Sequence, residues 1–315
     1  MSKKRFARTT SESDASARRE SNWISKRASL TEESPLTVKQ RIFSTLVLWI
    51  VVVICFFVVG PDAAVWLLAV LSLGSQYEFY RLLEKMGRRP FKNFGCFLGI
   101  IMILLPYYAN KWANDHVEGI QSGILAVTIV ACCLRILVER KTEERIESLS
   151  STLLGLIYIP FMLSFLARMI ELPGDPAKGL MLVVWLIVTA KFTDVGALLC
   201  GKAFGKHPMS PSTSPKKTWE GAIGGCIISV GLGFALTFFA RDTFPVFFTP
   251  LWGTVLALPI AIISIISDLV ESMLKRMADQ KDSGSFIPGI GGAFDLTDSL
   301  ILSAPTGYLL FGLLI

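Results

Sequence analysis

Residues 267–299 read "SDLVESMLKRMADQKDSGSFIPGIGGAFDLTDS", with five aspartates, one glutamate and three basic side chains arranged around a glycine cluster. On one side runs "PLWGTVLALPIAIISII" (250–266) and on the other "LILSAPTGYLLFGLLI" (300–315), neither holding a single charged residue. Flanks of that kind belong in hydrocarbon, where an unpaired charge is costly. The reading of this chain therefore turns on what so many charges do at the edge of two apolar segments.

Working outward, the whole chain is apolar. Of its 315 residues 52% are hydrophobic and only 18% are charged, against about 25% charged in an ordinary soluble domain; the mean hydropathy is +0.55. A spanning helix needs about 20 mainly apolar residues. Nine segments qualify, at 42–60, 62–80, 94–109, 119–138, 149–170, 178–200, 221–240, 250–272 and 296–315. The expected fold is all-α: a polytopic integral membrane protein of about nine transmembrane helices. Lys and Arg collect in alternate connections, ten of the 31 in residues 1–41 and five in "RLLEKMGRRPFK", which sets the N-terminus in the cytosol and the C-terminus outside.

Residues 1–40 read as a disordered, basic cytosolic tail able to rest on anionic headgroups of the lipid bilayer. Residues 41–175 form helices 1–5, and 176–315 form helices 6–9 with their cytosolic loops, the catalytic part. The net charge of +6 follows from this topology, and no recognised binding fold accompanies it, so no nucleic-acid partner is expected. No signal peptide is expected, because the first apolar run is long enough to span. The six cysteines lack paired metal spacing and read as small buried hydrophobes. Two histidines make a histidine-ligated metal improbable.

The charges at membrane depth carry the chemistry. Lys191 and Asp194, three apart in "LIVTAKFTDVGALLCG", share a helical face and can line a polar cavity opening to the cytosol. In the quoted stretch Asp268, Glu271, Ser272, Lys275 and Asp279 recur at helical spacing as one polar stripe. Two acids at one end suit a divalent cation, and bases a turn or two later suit phosphate oxygens. Asp295 and Asp298 open the last helix on one face, and the Gly-Pro turn before them lets backbone approach a ligand closely. "SPKKTWEG" (214–221) places Lys216, Lys217 and Thr218 just before a helix, where anionic groups are favoured. Carboxylates for a hard cation, lysines for phosphates and no Ser-His-Asp set point to phosphoryl or nucleotidyl transfer, which rests on positioning and charge. A transporter with an intramembrane cation path is the main rival, but the charges gather at one face rather than at the midplane.

These residues resemble the signature of the phosphatidate cytidylyltransferase (CDP-diacylglycerol synthase) family. Ser272, Lys275, Arg276, Lys281, Asp282, Pro288, Gly291, Gly292, Asp295 and Asp298 match it in register, and "TDVGALLCGKAFGKH" and "SPKKTWEGAIGG" look like the preceding helix and loop. The likeness is strong from about 185 to 300. Two positions depart: Ile290 stands where the family has histidine, and Leu296 where it has arginine between the aspartates. The resemblance implies a Mg²⁺-dependent enzyme of the bacterial cytoplasmic membrane, its active site facing the cytosol, that condenses CTP with phosphatidic acid into CDP-diacylglycerol and pyrophosphate. It implies Asp268 and Asp295 as the main metal ligands, supported by Asp194, Glu271 and Asp298. Ser214, Lys216, Lys217 and Thr218 would meet CTP, while Ser272, Lys275, Arg276, Lys281 and Asp282 shape the phosphate pocket with Gly291 and Gly292. Another CTP-dependent lipid enzyme remains an alternative, and a homodimer is compatible with such a chain.

Overall fold

The computed structural model describes residues 54–113, 119–138, 145–210, 213–284 and 291–315, together with Ile50 and Val52. A π-helical turn, Ile54–Val59, leads into α1 (Pro61–Lys85), α2 (Lys92–Ala113) and α3 (Ile120–Val138). The next run is α4 (Arg145–Leu156), a π-helical turn (Ile157–Phe161) and α5 (Met162–Glu171). Pro160 sits inside that turn; without an N–H it cannot hold the regular ladder, which widens there instead of breaking. Then come α6 (Pro176–Phe204), strands β1 (Pro208–Ser210) and β2 (Ser214–Thr218), α7 (Trp219–Phe239), a 3₁₀ turn (Arg241–Thr243), α8 (Pro250–Val255), α9 (Ala257–Met277) and α10 (Ala293–Gly312).

Among the described residues, six helical runs are long and apolar enough to cross a membrane: Lys92–Trp112, Ile120–Val138, Arg145–Glu171, Pro176–Phe204, Trp219–Phe239 and Pro250–Met277. Of two further expected spans, 62–80 falls within α1, and α10 covers 296–312 of the span expected at 296–315. The expected first span and the basic tail lie mostly or wholly outside the described residues. All of this supports an all-α polytopic membrane protein. The one exception among the described residues is an antiparallel hairpin, β1 pairing with β2. Sequence reading leaves 201–221 as a plain loop, because "SPKKT" shows no alternation of apolar and polar residues.

Small and hydroxylic residues bring the helices close. Gly225 of α7 lies so near α6 that a Cβ there would stand 2.5 Å from the Thr193 carbonyl oxygen, the close approach that small residues permit between helices in lipid. Ser229 Oγ donates to the Thr189 carbonyl at 3.0 Å, and Ser264 Oγ of α9 donates to the Ala190 carbonyl at 3.2 Å. Ser75 of α1 and Thr297 of α10 share a buried 2.8 Å hydrogen bond, and Ser267 Oγ donates to the Asp298 carbonyl. Trp185, Phe248 and Phe311, each completely buried, pack edge to face in the main core. Phe234, Phe238 and Phe239 of α7 are exposed instead, as a lipid-facing surface requires.

The stretch 267–299 ends and restarts a helix. Lys275 and Arg276 occupy the last turn of α9, where cations suit the exposed carbonyls. Asp279 then turns left-handed, with φ 54°. The expected stripe therefore stops at Lys275, because Asp279 has left the helix. In α10 Asp295 is the third residue and accepts the Gly292 N–H at 2.8 Å, which satisfies a donor at the helix start.

Candidate active site

Three lysines make four ion pairs among the polar residues where α6, α9, α10 and the hairpin meet. Lys191 Nζ lies 2.8 Å from Asp298 Oδ1, so α6 reaches α10. Lys217 of β2 pairs with Asp268 of α9. Lys275 bridges Glu271 at 2.7 Å and Asp295 at 2.8 Å. Each lysine neutralises an acid that burial would otherwise make costly.

Asp268, Glu271 and Asp298 present oxygens that all lie within 4.8 Å of one another. Glu271 is fully buried, and neither of its oxygens has a hydrogen bond of good geometry despite the nearby Lys275. Three hard oxygen donors converging on one point, one of them buried and unsatisfied, fit a divalent cation of the Mg²⁺ or Ca²⁺ type. Asp295 is not one of these three, although Lys275 ties it to Glu271. Its carboxylate accepts from Lys275, from Ser283 Oγ at 3.0 Å and from the Gly292 N–H. Asp295 and Asp298 share a helical face, yet they serve different partners.

Two cavities flank the triad. One, of about 220 Å³, is walled by Lys216, Lys217 and Thr218 of the hairpin together with Asp194, Met209 and Asp268. The other, of about 450 Å³, is walled chiefly by apolar residues of α1, α5 and α6, among them Leu68, Leu166 and Ile187, and ends at Lys191, Asp194, Asp298 and Leu296. Asp194 lines both. The hairpin is held at its base by Glu220, which accepts from the Lys206 and His207 N–H groups at 3.1 and 3.2 Å. Thr218 Oγ1 caps α7 by accepting from the Gly221 N–H at 3.2 Å, so its oxygen already serves the fold.

The expected residues divide accordingly. Asp194, Lys216, Lys217, Thr218, Asp268, Glu271, Ser272, Lys275, Asp295 and Asp298 gather at or beside the cavities, with Ser272 Oγ 3.5 Å from Asp268. Ser214 begins β2, opposite Ser210. Arg276 is exposed and donates to the Gln280 carbonyl, pointing along the end of α9. Lys281 and Asp282 are exposed in the following turn. Pro288 and Ile290 lie outside the described residues. Gly291 takes φ 126°, a left-handed turn that glycine makes without strain.

Glu78 went unnoticed in the sequence. It sits on α1, 5% exposed, far from the signature in chain order. One of its oxygens accepts from Ser283 Oγ at 2.9 Å and from the Phe294 N–H at 3.0 Å, tying the first half of the chain to the turn that carries Asp295. A Cβ on Gly292 would collide with that carboxylate and with Ser283 Oγ. The available signal was a carboxylate in "SQYEFYR" (75–81) at the end of a span, where an ionisable residue is functional by default.

Fold and site together define an integral membrane protein that brings lysines and a triad of acids to the junction of two cavities, one of them lined by Lys216 and Lys217. The sequence profile of the cytidylyltransferase family matches residues 39–314. The phosphatidate cytidylyltransferase of Haemophilus influenzae is 30% identical over 283 residues, covering 85% of this chain and 96% of that protein. That of Bacillus subtilis is 29% identical over 276 residues, covering 88% and 98%, and that of Mycobacterium tuberculosis is 28% identical over 276 residues, covering 84% and 79%. The chain belongs to the cytidylyltransferase family.

Proposed function

We propose that this protein is a CTP:phosphatidate cytidylyltransferase, transferring the cytidylyl group of CTP to phosphatidic acid to give CDP-diacylglycerol and pyrophosphate for phospholipid synthesis. The observation that carries the reading is Asp194, which lines both the apolar cavity and the lysine-bearing pocket beside the hairpin. A lipid can lie in the first and a nucleotide triphosphate in the second, with their phosphates meeting at the acids between. The names of the relatives supply the substrates.

A phosphate oxygen of the lipid attacks the α-phosphorus of CTP, a new P–O bond forms, and the bond from that phosphorus to the β-phosphate oxygen breaks. The phosphate is already largely ionised near neutral pH, so no strong base is required. Lys216 and Lys217 neutralise the triphosphate, and Lys275 keeps Glu271 and Asp295 in place. Asp268, Glu271 and Asp298 would hold Mg²⁺, with Asp194 in support; when bound, the cation supplies charge stabilisation across the reacting phosphates. Asp295, set in its hydrogen bonds to Ser283 and Gly292, orders the turn around the site. The alternation of Lys and Arg between connections supports nine spans, a cytosolic N-terminus and an active site facing the cytosol of a bacterial inner membrane.

The test is formation of labelled CDP-diacylglycerol by the purified full chain in micelles of phosphatidic acid with labelled CTP and Mg²⁺. Product is expected, abolished by a chelator and lowered by about 10³-fold or more in Asp268→Asn and Asp298→Asn. Absence of product with the wild type, under conditions where a family relative is active, would overturn the reading.

A further inference from the structure

The two cavities divide the lysines between them. Among the described residues, Lys191 is the one cation lining the apolar cavity, whereas Lys216 and Lys217 line the pocket beside the hairpin. The other polar groups on the apolar side are Asp194, Asp295, Thr297 and Asp298, three of them acids. A phosphate entering on an acyl-bearing lipid would meet like charges there, in surroundings that screen them poorly. Leu296 lines the same cavity, at the position where the family signature that the sequence resembles has arginine. The cation missing from α10 thus has a counterpart on α6, facing the same space.

We propose that Lys191 receives the phosphate of phosphatidic acid, supplying from α6 the positive charge that the signature would place at position 296. Its side chain is 27% exposed and lies 2.8 Å from Asp298, so it is held at the polar end of the cavity yet open to an arriving oxygen. Lys217 lines the other cavity, beside Asp268, and Lys281 is exposed beyond the end of α9. This inference rests on the reaction proposed above for the identity of the lipid.

The full chain in detergent provides the test, with Lys191→Met, Lys191→Arg and Lys191→Met/Leu296→Arg compared with wild type. Lys191→Met should lower kcat/KM for phosphatidic acid about 10- to 100-fold, the loss of one charge-assisted hydrogen bond, mainly through KM, while KM for CTP stays within about twofold. Lys191→Arg should retain most activity, and the double variant should recover about tenfold over Lys191→Met. A second readout needs no turnover: short-chain phosphatidic acid should raise the melting temperature of wild type and Lys191→Arg but not of Lys191→Met. Diacylglycerol of the same chain length and inorganic phosphate should raise neither. Were the wild type inactive but still stabilised by phosphatidic acid through Lys191, the reaction would fall and the lipid-phosphate site would stand. Equal stabilisation of Lys191→Met, an equal response to inorganic phosphate, a CTP defect as large as the lipid defect, or no recovery in the double variant would overturn the proposal. If Lys191→Met does not elute as a single folded peak, Lys191→Gln carries the same comparison.

Discussion

The two cavities on either side of Asp194 are built from different materials. The larger is walled by helices, with Leu68 of α1, Leu166 of α5 and Ile187 of α6 giving an apolar trough that ends in charge. The smaller is lined by Lys216, Lys217 and Thr218 of a short two-stranded hairpin, which face Asp194 of α6 and Asp268 of α9. Helices can offer a long uninterrupted apolar wall because their backbone groups are satisfied internally. A short hairpin cannot bury much apolar surface, but it can carry closely spaced charged side chains out of the membrane and fold them back over a helix end. Under the function proposed above, this difference lets one chain hold a lipid and a water-soluble nucleotide within reach of the same acids.

The sharpest way to break this comparison is Lys217→Met. It removes one of the two cations of the pocket beside the hairpin and leaves Asp268 unpaired, so kcat/KM for CTP should fall about 10- to 100-fold while KM for phosphatidic acid barely moves. Initial rates with each substrate varied in turn check it; a matching lipid defect would mean the cavities do not divide the substrates. Next in size is Glu78→Ala, which acts on neither cavity wall but on the turn behind both. The buried Phe294 N–H would lose its acceptor and Ser283 Oγ would keep only Asp295, a cost of about 2 kcal/mol. The apparent melting temperature in detergent should drop by roughly 5 °C or more, with partial rescue in Glu78→Gln; an unchanged melting curve would remove Glu78 from the framework. The smallest effect is expected from Leu68→Trp, which shortens the apolar trough. Preference should shift about threefold toward short-chain phosphatidic acid, with CTP kinetics unchanged, and competition between chain lengths would read it.

Much of this was legible because local pattern and environment agree. Runs of twenty apolar residues can only be helices in lipid, and eight of the nine expected spans have helices among the described residues. Lys217, Asp268, Glu271 and Lys275 could be singled out because a charge beside such a run is costly unless used. The hairpin was not legible, since its strands pair over a few residues and show no alternation. Asp279 looked like one more member of a helical stripe until the left-handed turn at that residue closed α9.

The sequence by itself determined a helical membrane protein and the approximate bounds of its spans, and it singled out the acids and lysines of the candidate site, because hydropathy and the cost of buried charge act residue by residue. Only the tertiary structure decided how those charges pair. Asp295 and Asp298, one turn apart, turn to Lys275 and Lys191 from different helices, and Glu78 reaches the signature turn across more than two hundred residues of chain. Ion pairing depends on which helices lie side by side, and that is set by close packing at positions such as Gly225, which no spacing along the chain encodes.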